Sequence, residues 1–346
     1  MALPYRRGEI KERAREQWRG ACNVTLPSFS EDFGGLNESA IRHDVRRAAE
    51  LGFWGTLVAS ESGTTFDEYV RFMELAAEAA PPAFKLVCHA SFNNGAEGIR
   101  AAKAAEDLGF EAALLSYPPT FKAKSAQDIV SFTREFTEQS DLALIVFVVT
   151  TWGFRGIHPS QFPPEALAEI ARFETTAAIK YEAGQPGMVA GLAEVVRKCS
   201  KHALVCCPLE QYAPALVDWF GMQWMGTSSY ETYGDRVPRM FRLLHEGKWD
   251  EAMEIYWSYQ AAREAKAAFH QSFAGANLIH RVGWKYLGWL QGMNGGLLRM
   301  PQMRLNGGQM KALRTGLQTS GFELPKDDDG FLAGRISASS AIPVGA

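Results

Sequence analysis

Thr176-Ala177-Ala178-Ile179-Lys180-Tyr181-Glu182-Ala183-Gly184 is the stretch on which the reading of this chain turns. A short apolar run ends in a lysine, and a glycine follows soon after. That is the pattern of a buried strand opening into a loop. Burying an ammonium is costly unless it is paired or neutralised. A desolvated lysine has a lowered pKa and attacks a carbonyl to form a Schiff base. The bland alternative is a strand-end lysine that reaches back to solvent. Tyr181 comes next. Strand alternation points it away from the lysine's face, which argues against a catalytic role for its hydroxyl.

The same rhythm extends in both directions. Apolar runs at 21–24, 56–59, 84–88, 112–115, 142–149, 177–180, 203–207 and 223–226 read as eight strands. Helical spacing covers 41–51, 66–80, 95–108, 125–139, 164–173, 188–199 and 213–220, punctuated by Gly52, Pro81-Pro82, Gly109 and Pro164. Continuous apolar strands alternating with helices imply a parallel sheet covered on both faces. Eight such units give an α/β fold, a (β/α)8 TIM barrel, rather than an open sheet. No GxGxxG follows the first strand, which counts against a dinucleotide site. From about Lys248 only helices are expected, over 249–270, 278–293 and 308–319. The chain divides accordingly into a barrel with an N-terminal lead-in (1–244), a C-terminal helical region (245–322) and a loose tail (323–346) that carries Asp327-Asp328-Asp329.

The chain has 346 residues, 47% of them hydrophobic and 22% charged, enough to build a full core. A net charge of −3 supplies no basic footprint for nucleic acid or an anionic membrane. The five cysteines show no CxxC spacing and no histidine at metal-ligand spacing, so buried thiols are expected and no metal. The first residues are charged and lack a signal segment, and no run is long enough to span a bilayer. The expectation is a soluble, cytoplasmic protein.

A lysine on the sixth strand of such a barrel, followed by C-terminal helices, resembles the dihydrodipicolinate synthase/N-acetylneuraminate lyase family. The likeness runs from about Gly20 to Phe322. Thr25-Leu26-Pro27-Ser28-Phe29 is similar to the family's T-P-F after strand one. Ala49 to Gly55 resembles its helix–glycine–strand junction, and Glu61-Ser62 the end of its G-T-T-G-E-S loop. Ala178-Ile179-Lys180 with Gly184 resembles its G-I-K-E-A-T-G. Gly247 to Ala252 and Leu298-Arg299-Met300-Pro301 resemble its C-terminal patterns. The resemblance implies a Schiff-base lyase acting on a 2-keto acid of the pyruvate type, without cofactor. It also implies a homo-oligomer, a dimer or a tetramer.

Departures from the pattern are equally informative. The family's two adjacent threonines fall at Val58-Ala59. Its strand-five tyrosine falls at Phe147, which has no hydroxyl. Its strand-four tyrosine pair falls within Pro118 to Phe121, with Tyr117 nearby but out of register. A standard dihydrodipicolinate synthase is therefore not expected. The resemblance points instead to imine chemistry on another substrate, in the manner of a hydratase-aldolase acting on an apolar or aryl compound. A dehydratase, a decarboxylase or a non-catalytic ligand-binding barrel on the same scaffold are the alternatives. Lys180 is the expected nucleophile and His89 the replacement acid/base, since histidine titrates near neutrality. Ser60, Glu61, Ser62, Phe147, Trp152, Arg155 and Thr227 are the expected substrate-binding residues. Arg155 is suited to a carboxylate, and Trp152 to an aromatic wall.

Overall fold

The computed structural model describes residues 3–184, 187–274 and 279–336. A short helix, α1 (Ile10–Gln17), precedes the first strand, β1 (Gly20–Thr25). Helices and strands then alternate: α2 (Glu38–Glu50), β2 (Gly55–Val58), α3 (Phe66–Ala79), β3 (Lys85–Ala90), α4 (Gly95–Asp107) and β4 (Ala112–Leu115). They continue as α5 (Ala126–Gln139), β5 (Ala143–Val149), α6 (Pro164–Ile170), β6 (Thr176–Glu182), α7 (Met188–Cys199), β7 (Leu204–Cys206), α8 (Ala213–Phe220) and β8 (Trp224–Gly226). Every paired strand is parallel, in the order β7-β6-β5-β4-β3-β2-β1-β8. The Cys206 thiol donates to the Gly226 carbonyl across 3.5 Å, bridging the β7–β8 seam where no ladder forms. This is the expected (β/α)8 barrel, nearly closed.

Helix starts follow local chemistry. Thr65 and Glu68 form a reciprocal capping box on α3, as do Ser125 and Asp128 on α5. Asn37 and Asn94 cap α2 and α4 through their side chains. The N-terminal end of the barrel is closed by α1 and by three packed indoles, Trp18, Trp54 and Trp224. Glu111 is buried beneath them. It accepts from Trp18 Nε1 at 2.9 Å and from Arg13 at 2.8 and 3.0 Å.

Several elements differ from their expected form. The strand carrying Lys180 runs two residues further, because Val148 and Val149 of β5 pair with Tyr181 and Glu182. The helix expected over 249–270 is two, α10 (Trp249–Ser258) and α11 (Gln260–Ala274), broken at Tyr259. That side chain is fully buried and donates to Glu210, which holds the break in place. The spans α9 (Arg236–His245) and α1 carried no expectation. The helices α12 (Arg281–Leu290) and α13 (Gly307–Thr319) complete the set; Leu278, expected to open α12, lies outside the described residues. The tail expected to be loose is docked as far as Ile336. Asp328 pairs with Arg314, Phe331 is completely buried, and Arg335 donates to the carbonyls of Trp289 and Met293. Residues 337–346 lie outside the described set.

Candidate active site

Lys180 stands on the inner face of β6 near the carboxyl ends of the strands, where barrels of this type place their chemistry. It is 4% exposed. Its Nζ donates to the Thr227 carbonyl at 3.0 Å and to Thr227 Oγ1 at 3.4 Å. Glu182 Oε2 lies 3.7 Å away. The face of Phe147, its register partner on β5, covers Nζ at 3.8 Å from the ring centroid. Burial lowers the lysine's pKa, and Arg281 adds to this; Glu182 and the thiols of Cys206 and Cys207 oppose it. The outcome is an ammonium that gives up its proton more readily than a solvated one, the condition a nucleophilic amine needs.

Trp152 and Phe147 make an apolar flank. Trp152 Nε1 donates to the Phe147 carbonyl at 2.7 Å, and the two rings meet edge to face at 5.7 Å. Tyr117 contributes no hydroxyl to this flank. Its Oη shares a 2.7 Å hydrogen bond with Thr133 of α5, and its ring packs on Phe121, Phe154 and Phe162. Tyr181 faces the helices, so close to α7 that a Cβ on Gly191 would collide with its hydroxyl.

A second group of residues gathers at the ends of β2 and β3. His89 is buried, with Nε2 3.3 Å from Ser116 Oγ and Nδ1 without a partner among the described residues. Burial pushes its pKa down to about 4, against the pull of Glu61, so the ring is neutral near pH 7. Ser60 donates to the Ser91 carbonyl at 2.8 Å, and the Ser62 hydroxyl is buried without a partner among the described residues. Glu61 accepts from Ser91 and, at 3.0 Å, from Arg281 Nη2. Desolvation by the surrounding side chains raises the Glu61 pKa although its own side chain is 42% exposed, but His89, Arg281 and the two hydrogen bonds outweigh this and lower it to about 2.

The structure thus gathers Lys180, Thr227, Phe147 and Trp152 on one side of the mouth. Ser60, Glu61, Ser62 and His89 lie on the other. Arg155 is not drawn into either group; it sits exposed on a short 3-10 turn, Phe154–Gly156. Two residues carried no expectation. Glu182 lies past the apolar run, which stops at the lysine, so the local pattern places it in a loop and not on β6. Arg281 lies a hundred residues downstream in the helical region, with no local motif around it. Its guanidinium reaches the mouth over the ring of Trp284, 4.3 Å from the centroid, and only 10% of the side chain is exposed.

The family model for the dihydrodipicolinate synthetase family matches residues 19–285. The chain belongs to this family. It is 21% identical over 289 residues to the 4-hydroxy-tetrahydrodipicolinate synthase of Methanospirillum hungatei, covering 82% of this chain and 93% of that protein. It is 24% identical over 243 residues to the N-acetylneuraminate lyase of Clostridium perfringens, covering 68% and 80%. The fold is similar to the crystal structure of N-acetylneuraminate lyase from Fusobacterium nucleatum, with TM-score 0.72, 18% identity and coverage of 87% and 98%. It is also similar to a structure of PhdJ bound to a substrate intermediate, with TM-score 0.74, 14% identity and coverage of 92% and 97%. As a member of the dihydrodipicolinate synthetase family, the chain is at the coarse level a lyase of the Schiff-base aldolase class. The family binds pyruvate-type substrates.

Proposed function

We propose that Lys180 forms an imine with the carbonyl of a 2-keto acid and that the site then makes or breaks a carbon–carbon bond on an apolar or aryl substrate. The observation that carries this reading is a buried lysine held at the strand ends with a lowered pKa and one face against an aromatic ring. A reaction other than the standard dihydrodipicolinate synthase reaction is supported by the side chains around it. Val58 and Ala59 offer no hydroxyls for a carboxylate, and Phe147 offers no phenol. The carboxylate role passes to Arg281, whose planar fork suits two-point binding and gives one N–H to Glu61 among the described residues. Phe147 and Trp152 form the wall for the apolar part of the substrate. Borohydride reduction in the presence of pyruvate and a panel of aryl-substituted 2-keto acids tests this. Mass should be added at Lys180 alone and lost in Lys180→Ala. No adduct with any keto acid would sink the reading.

A further inference from the structure

We propose that Glu182 is the proton carrier for imine formation at Lys180. This rests on the reading of Lys180 as the nucleophile. The longer β6 strand supplies the placement. Glu182 pairs in register with Val149, two residues beyond Lys180, so both side chains share the inner face of the barrel. Its Oε2 lies 3.7 Å from Nζ. The lysine side chain is 5% exposed and that of Glu182 is 32% exposed, so the carboxylate stands between the buried amine and the open mouth.

Other groups near the amine are poorly suited to the task. Phe147, 3.8 Å away, carries no exchangeable proton. Thr227 holds Nζ through a carbonyl and a hydroxyl, and neither is a base near pH 7. The Tyr117 hydroxyl is engaged by Thr133, and Tyr181 faces the helices. His89 stands on β3, with one ring nitrogen engaged by Ser116.

The chemistry balances with Glu182 alone. The ammonium of Lys180 passes one proton to the Glu182 carboxylate. The free amine adds to C2 of the keto acid; the C–N bond forms and the C=O pair moves onto oxygen. A second nitrogen proton moves to that oxygen, giving a neutral carbinolamine. Protonated Glu182 then donates to the hydroxyl, the C–O bond breaks, and water leaves with the electron pair. Nitrogen closes the C=N⁺ bond and the carboxylate is restored. The net change is one ammonium and one ketone giving one iminium and one water.

The test is the time course of borohydride trapping with pyruvate, followed by intact mass, for wild type, Glu182→Gln, Glu182→Asp and His89→Gln. Glu182→Gln should reach the same final labelling at saturating pyruvate, but at a rate lower by roughly 10²–10⁴-fold, the range of general acid–base help. Glu182→Asp should recover part of that rate. Full final labelling also shows that the Gln variant is folded. If the carboxylate acted only through its charge, its loss would leave more of the amine neutral and speed labelling. An unchanged or faster rate in Glu182→Gln overturns the proposal, as does a loss confined to His89→Gln. A wild-type chain that no keto acid labels removes the reading of Lys180, and this proposal with it.

Discussion

At the scale of single residues, the mouth carries two ion pairs, Lys180 with Glu182 at 3.7 Å and Arg281 with Glu61 at 3.0 Å. Arg281→Gln should raise the pyruvate concentration for half-maximal trapping by roughly ten- to a hundredfold, because a hydrogen bond to a charged group contributes about 1.5–3 kcal/mol. Final labelling should persist. Equal half-saturation in the variant and the wild type would place the carboxylate elsewhere, with exposed Arg155 the next candidate. His89 makes a separate prediction. Its ordinary value of 6.5 falls to about 4 in the fold because burial disfavours the charged ring. Between those values the unfolded chain binds a proton that the folded chain refuses, so stability falls as pH drops from 6.5 toward 4. The full difference amounts to about 3 kcal/mol. Urea unfolding of His89→Gln across this range should show a shallower pH dependence. A slope identical to wild type would mean that His89 protonates freely in the folded protein.

At the scale of elements, the barrel end opposite the mouth depends on one buried carboxylate. Glu111 is held by Trp18, Arg13 and Lys85, with its side chain 2% exposed. Glu111→Ala should cost about 3–5 kcal/mol, because it leaves Arg13 short of its partner in a partly buried position. Thermal unfolding measures this, and a loss below about 1 kcal/mol would reassign the closure to the indoles alone. The eight strands were legible in the sequence because each is an apolar run bounded by helix stops. What escaped was set at a distance. The last two residues of β6 are polar or aromatic and are strand only because β5 offers them partners. The break at Tyr259 depends on Glu210, distant in sequence, so periodicity ran straight through it. Lys180 could be found locally because its apolar run is local. Arg281 could not, since nothing around it marks which barrel strand it will meet.

At the scale of the whole molecule, the C-terminal region is bound to the barrel by buried polar contacts as well as by apolar packing. Lys285 donates to the Pro27 carbonyl at 2.7 Å and to Ser28 at 2.9 Å, and Lys266 to the Ser229 carbonyl at 2.8 Å. The stretch from 323 to 336 then closes over α12. Phe331→Ala should destabilise the protein by about 3–5 kcal/mol, as expected for a large aromatic in a filled core. A loose segment would give a change within about 0.5 kcal/mol, and chemical denaturation separates the two. The reach of Arg281 from α12 to Glu61 also has a consequence in time. During synthesis all eight strands leave the ribosome before residue 281. Roughly 100 further residues separate the lysine from the arginine, a delay on the order of 5–20 s at typical elongation rates. A nascent barrel therefore has its amine long before it has this cation. On the proposed roles, the emerging polypeptide holds its imine-forming amine before the arginine that would bind the substrate carboxylate, until its final fifth is made and folded down.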